Sequence, residues 1–366
     1  MHPLVKNLLF TLNPESAHNV AIGAARFAQS VMPRVIDSVY SYAHPRLHMS
    51  IFGKQFTNPI GLAAGYDKNA QLITFWRKLG FGFVEVGSIT AKRSKGNKRP
   101  RAFRLPEDEA LINRLGLNNQ GAAKIVGRIE RQAGIKAFPV GVSLAKSNDP
   151  SISNEAAIED FCISFRLLAP FADYIALNIS CPNTAEGKTF EDPNSLDDLL
   201  RALAAERNEM SRRLPILVKL SPPLSDNFVL DSLIDELVVV SLAHGVNGFI
   251  ASNTASDRQN LQTSAEIVKS FGEGGLSGPP IESRSTQLVR YLYQKTKGKL
   301  PIIGVGGVNS AETAYAKIRA GASLVQLYTG MVYYGPGIVR DIKQNLVKLL
   351  IEDGFSAISK AVGLDA

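Results

Sequence analysis

The chain has 366 residues, 45% hydrophobic and 20% charged, with 19 prolines and no low-complexity tract, which excludes a disordered or fibrous protein and allows one large domain or two ordinary ones. Its 41 Lys and Arg against 33 Asp and Glu give a net charge of +8, compatible with nucleic acid, an anionic membrane surface or an anionic substrate as partner. Two cysteines, Cys162 and Cys181, are too few for a disulfide framework and argue for a reducing compartment.

From the N-terminus, Leu4, Val5, Leu8, Leu9 and Phe10 make a short apolar face with no signal-peptide pattern around it. Asn13-Pro14-Glu15 then opens a helix, and Ala17, Val20, Ala21, Ala24, Phe27, Ala28 and Val31 give it an amphipathic face that stops before Pro33. Residues 1–45 therefore read either as a helical pair standing outside the main domain or as an ordinary docked N-terminal helix. Residues 47–56 have the pattern of a small hairpin turning at Gly53.

The rhythm then changes. Apolar runs recur at 59–64, 81–87, 138–144, 174–179, 216–220, 248–251, 301–305 and 324–327, with helical patterns at 70–79, 156–168, 195–210, 227–243, 285–296 and 311–320. Alternation of this kind predicts an α/β fold with a parallel sheet, and eight strands predict a closed (β/α)8 TIM barrel over 46–366, with a doubly wound open sheet as the alternative. The uncharged runs 237–256 and 320–339 have membrane-spanning length, but they carry His244, Asn247, Asn253 and Gln326 and read as buried strands with their loops.

Barrels of this type place their chemistry at the C-terminal strand ends. Those ends hold Ala64 and Lys68, Ser88, Ser143, Asn178 with Cys181 and Asn183, Lys219, Ser252 with Asn253 and Thr254, Gly304 to Gly307, and Tyr328 with Thr329. Amides, hydroxyls and a few lysines suit a planar, polar, anionic ligand, and the glycines after the seventh strand suit a phosphate or merely a tight turn. Lys219 on a buried strand calls for an anionic partner, either a ligand or a structural ion pair. Cys181 fits a reactive thiol as well as an inert one, whereas Cys162 falls within a helical pattern and reads as core. The five histidines make no zinc spacing, so no metal is expected. The basic stretch 92–101 lacks interleaved aromatics and reads as a solvated loop, not as a nucleic-acid site.

Taken together, these motifs resemble the dihydroorotate dehydrogenases. The collinear set is Gly61-Leu62-Ala63-Ala64-Gly65-Tyr66-Asp67-Lys68, Pro100-Arg101-Ala102-Phe103-Arg104-Leu105, Asn113-Arg114-Leu115-Gly116-Leu117-Asn118-Asn119, the stretch 178–184, Gly274-Gly275-Leu276-Ser277-Gly278 and the stretch 301–307. The 13–18 segment resembles the two-helix extension of the quinone-dependent class, in which the helices form an apolar slot leading to the flavin and dip into the headgroup region without crossing it. The resemblance implies FMN held by Ala64, Ser88, Ser143, Asn178, Lys219, Ser252, Gly278, Gly307, Tyr328 and Thr329. It implies dihydroorotate bound by Lys68, Asn113, Arg114, Leu115, Gly116, Leu117, Asn178, Asn183, Asn253 and Thr254, and a quinone tunnel along His18, Arg104 and Tyr328.

Cys181 stands at the position of the catalytic base, with Lys219 as the residue that supports the reduced flavin. Four departures from the pattern are plain: Ser143 stands where Asn is common and Leu117 where Phe is common, Ala185-Glu186-Gly187-Lys188 replaces the usual Pro-Gly-Leu-Arg, and Cys181 is the base of the soluble class, not the Ser of the quinone class. The extension outweighs that one-atom exchange, so the expected partners are dihydroorotate, a membrane quinone and the cytoplasmic face of a bacterial inner membrane, with no nucleic acid. The alternatives are the soluble class, which uses fumarate or a partner subunit, and another FMN barrel such as a tRNA dihydrouridine synthase.

Overall fold

A computed structural model describes residues 3–131, 138–180, 190–224 and 232–366. In it the eight apolar runs become β1 (Ile60–Leu62), β2 (Phe83–Ile89), β3 (Val140–Leu144), β4 (Tyr174–Asn178), β5 (Ile216–Leu220), β6 (Gly248–Ala251), β7 (Ile302–Val305) and β8 (Leu324–Leu327). Each pairs in parallel with its predecessor, and Val325 of β8 lies opposite Ile60 of β1, so the sheet closes on itself. This is the expected (β/α)8 barrel, and closure rules out the open sheet. Strands buried on both faces are mostly apolar, which is why the runs show no alternation.

The expected helices lie at Ile73–Lys78, Asn154–Leu168, Pro193–Asn208, Ser232–Ala243, Glu282–Thr296 and Ala311–Arg319. Of the 227–243 pattern, residues 227–231 lie outside the described residues. The hairpin Met49–Ile51 with Lys54–Phe56 plugs the N-terminal mouth, where Phe56 meets Phe83 edge-on at 5.5 Å. Above that plug, Glu85 accepts from the Tyr174 hydroxyl at 3.0 Å and from the Gln326 amide at 2.9 Å, which forms a polar floor inside the barrel.

Two features go beyond the expectation. Residues 3–40 hold three helices: α1 (Pro3–Thr11), α2 (Pro14–Val31) and α3 (Pro33–Tyr40). Pro33 both ends α2 and starts α3, since a proline in a first helical turn gives up no hydrogen bond. In addition, Ala102–Leu105, Ala110–Asn113 and Gly275–Ser277 form a three-stranded antiparallel sheet with its own small core of Leu105, Ala110, Ile112, Ala255, Leu276 and Ile281. The α2 helix packs between this sheet and helix Ile73–Lys78. Among the described residues, no helix is long and apolar enough to cross a membrane.

Candidate active site

The C-terminal strand ends surround a cleft of about 1160 Å³. Its wall is tied together by side chains from four strands. Ser143 and Ser88 share a hydroxyl contact of 2.8 Å, and Asn178 donates to Ser88 at 2.9 Å. Asn253 donates to Asn178 at 3.1 Å and to the Ser180 hydroxyl at 2.9 Å, and that hydroxyl donates to the Lys219 carbonyl at 3.1 Å. An amide and hydroxyl chain of this kind holds each donor and acceptor in one orientation, so the cleft is pre-shaped for a planar polar ligand.

Most of the residues singled out from sequence meet here. Ala64, Ser88, Asn178, Lys219, Ser252, Gly278, Gly307, Tyr328 and Thr329 line the cleft, as do Lys68, Asn113, Leu115, Gly116, Leu117, Asn253 and Thr254. Ser143 stands one layer behind, reaching the cleft only through Ser88. Arg114 does not line the cleft. Neighbouring residues on an extended segment point to opposite sides, and while Asn113 faces the cleft, the Arg114 guanidinium donates to the Phe271 and Glu273 carbonyls and lies 4.8 Å from the Phe103 ring centre. Cys181 and Asn183 lie outside the described residues. Sequence reasoning passed over Glu109, Asn309, Gln326, Tyr333 and Tyr334, which also line the cleft. Only Gln326, the one polar residue in an apolar strand, carried a signal that could have found it.

Beyond β7, Gly306 and Gly307 take positive φ values, and a Cβ on Gly307 would come within 2.3 Å of the Glu282 Cβ. Only glycine fits, which leaves bare backbone beside the short helix Thr329–Tyr334 that follows β8, the usual phosphate cradle of such barrels. Lys68 rests on a loop held by the buried Asp67 carboxylate, which accepts from the Gln71 and Leu72 amides at 2.8 Å each and from Trp76 at 3.1 Å. Burial raises the pKa of Asp67 against the pull of those donors. Burial also pushes the Lys68 ammonium down to about 8, with Glu15 opposing that drop, Arg101 adding to it and Asp67 opposing it.

A second cavity of about 950 Å³ shares Lys68, Asn113, Leu115 and Tyr328 with the cleft. It shares Pro14, Ile22, Tyr66 and Val332 with an apolar slot of about 1190 Å³ between α2 and the barrel, to which α2 presents Ala21, Ala25 and Ala28. His18 and Arg104 border both the second cavity and the slot, and Tyr328 stands between cleft and cavity. Burial, aided by the Lys68 charge, pushes the His18 imidazole down to about 3, so it is neutral, and its ring meets Tyr66 edge-on at 5.1 Å. Arg104 donates to the Leu9, Phe10 and Leu12 carbonyls and thereby caps the C-terminal end of α1. Among the described residues, no cluster of three or more His, Cys, Asp or Glu could hold a metal ion.

A family model described as dihydroorotate dehydrogenase matches residues 46–350. The chain is 42% identical to the dihydroorotate dehydrogenase (quinone) of Roseiflexus castenholzii, covering all of this chain and 97% of that one. It is 41% identical to the protein of the same name from Halobacterium salinarum, with full coverage of both. Its fold is similar to a crystal structure of the Eimeria tenella DHODH, with a TM-score of 0.87 and 32% identity over all of this chain and 99% of the other.

Proposed function

The chain belongs to the dihydroorotate dehydrogenase family, and on that premise we propose that it oxidises dihydroorotate to orotate in UMP synthesis and delivers the two electrons to a quinone. The observation that carries this reading is the meeting of Lys68, Asn113, Asn178, Asn253, Thr254 and Lys219 in one cleft that shares Tyr328 with a second cavity, which in turn shares His18 and Arg104 with an apolar slot.

The cleft fits FMN: positive φ and the close approach of Glu282 keep position 307 a glycine, whose bare backbone stands beside the helix Thr329–Tyr334 where a phosphate would sit, and the hydroxyl and amide wall matches a flavin's donor and acceptor edge. FMN, when bound, would supply the acceptor for the hydride leaving C6. Ala64, Ser88, Asn178, Lys219, Ser252, Gly278, Gly307, Tyr328 and Thr329 would hold it, with Ser143 acting through Ser88. Lys68 would pair with the substrate carboxylate. Asn113, Asn178, Asn253 and Thr254, with Asn183, would bind the imide-like edge, which needs donors and acceptors alike. Cys181 would take the C5 proton. A thiol ordinarily titrates near 8.5, within reach of neutral pH, whereas a serine hydroxyl needs a relay. His18, neutral and buried, Arg104 and Tyr328 would line the quinone's path.

Leu8, Phe27 and Val31 are exposed to 69%, 67% and 59%, so α1 and α2 present large apolar side chains outward as well as lining the slot. That face suits a peripheral position in the headgroup region of a cytoplasmic membrane.

The test is spectroscopic. Dihydroorotate should bleach the flavin of the purified protein and a quinone should restore it, while Ala25→Trp, which fills the slot, should raise the quinone KM by about tenfold or more and leave dye reduction intact. Reoxidation by fumarate in place of quinone would put the chain with the soluble class, and salt-sensitive tRNA binding would put it with the dihydrouridine synthases.

A pH dependence follows from Lys68. The substrate carboxylate binds the ammonium form, and burial sets the free lysine near 8. Orotate affinity should therefore be flat below that pH and fall above it by about tenfold per unit. Titration calorimetry from pH 6 to 9.5 checks this, and an affinity that does not fall above pH 8 would exclude Lys68 as the anion's partner.

A further inference from the structure

The first turn of α2 is tied to the cleft by one side-chain pair. The Arg101 guanidinium, 5% exposed, grips Glu15 with two donors, Nε to Oε2 at 3.0 Å and Nη2 to Oε1 at 2.6 Å. Its remaining arm, Nη1, donates to the carbonyls of Lys95 at 2.7 Å, Asn97 at 2.9 Å and Leu115 at 3.4 Å. Leu115 belongs to the 113–117 segment that lines the cleft, and its carbonyl also accepts from the Asn97 amide at 3.2 Å. A Cβ on Gly116, at φ +70°, would fall 2.4 Å from Asn97 Oδ1, so this segment has one tight seat and no slack. Glu15 and Leu115 both border the cavity between slot and cleft.

Arginine spans two partners in this way because its planar fork offers five donors in a rigid geometry. Removing the carboxylate leaves a buried cation facing only carbonyl dipoles, and breaking such a pair costs more than forming it gained. The consequence falls on the segment that the other arm holds.

Resting on the function proposed above, we infer that Glu15 and Arg101 are positioning residues through which the N-terminal extension holds the 113–117 segment in its substrate-binding shape. The extension is then a part of the pyrimidine site as well as the wall of the slot. The bridge also acts on Lys68 by charge. Facing that lysine are Glu15 and His18 from α2, Arg101 from the loop before Ala102–Leu105, and its own neighbour Asp67, and Glu15 favours its ammonium form while Arg101 disfavours it.

The experiment uses the full-length flavin-loaded protein. Orotate affinity is measured by calorimetry, and the dihydroorotate KM and kcat with a soluble dye, so that quinone access plays no part. Glu15→Gln should weaken orotate binding and raise KM by about tenfold, with kcat within about threefold, as loss of a charge-assisted hydrogen-bond pair implies. The alkaline fall in affinity should move to lower pH in Glu15→Gln and to higher pH in Arg101→Gln, opposite signs that a merely structural defect would not produce. Arg99→Gln removes the exposed arm on Glu15 and should leave affinity within about twofold. Glu15→Gln alone decides the matter if Arg101→Gln does not fold. An orotate affinity in Glu15→Gln within twofold of the parent, or an equal loss in Arg99→Gln, would overturn the inference. A parent protein that binds no orotate would instead defeat the functional reading itself.

Discussion

Cys181→Ala is expected to slow flavin reduction by dihydroorotate on the order of a thousandfold, while orotate still binds and the flavin is still held. Ser180, the residue before Cys181, accepts from Asn253 and donates to the Lys219 carbonyl, so the wall up to that point is braced without the thiol. Cys181→Ser should be intermediate, because the hydroxyl keeps the volume of the base but lacks a titration near neutrality. Stopped-flow reduction from pH 6 to 9 checks both variants. An alanine variant within threefold of the parent would remove Cys181 from the proton's path, and with it the one feature that ties this chain to the soluble class.

Why the barrel was readable and parts of the site were not has a physical reason. A strand buried on both faces reads as a near-continuous apolar run, so β2 and β5 announce themselves even though β2 carries Glu85 and Ser88 and β5 carries Lys219. The strands of the three-stranded sheet are three or four residues long, and one of them is Gly275–Ser277, too short for any alternation to register. Yet this sheet delivers Asn113 and Ser277 to the cleft.

Strand ends could be read because barrel topology sends them all to one mouth, which is why Lys68, Asn178, Lys219 and Asn253 were found together. Contacts that depend on how an appended element docks have no such rule behind them. Glu15 looks like an ordinary first-turn helix acid that complements the helix dipole. Only the packing of α2 shows that its carboxylate, which Arg101 holds down to about 2, reaches a loop 86 residues away. Arg114 is the converse: adjacency to Asn113 in a motif suggested a shared role, and strand geometry turned the two side chains apart.

Lys219→Met should carry the other large effect. Lys219 sits on β5 opposite Asn178 of β4, 7% exposed, and lines the cleft together with Ser88, Asn178 and Ser252. A cation held in a site of low dielectric constant acts more strongly on a nearby developing negative charge than it would in water, and needs no rearrangement when that charge appears. If its ammonium faces the flavin edge that gains charge on reduction, methionine, which keeps most of the length and none of the charge, should lower the rate of flavin reduction by about a hundredfold or more. It should also make the midpoint potential of the bound flavin more negative. The second readout matters because the Lys219 backbone carbonyl, which anchors Ser180, is untouched by the substitution. A collapsed wall would show as lost flavin and lost orotate binding, whereas loss of charge alone shows as a shifted potential with both ligands still bound. An unchanged potential in a variant that keeps its flavin would place the ammonium away from the charge-bearing edge and leave Lys219 a structural residue of the barrel.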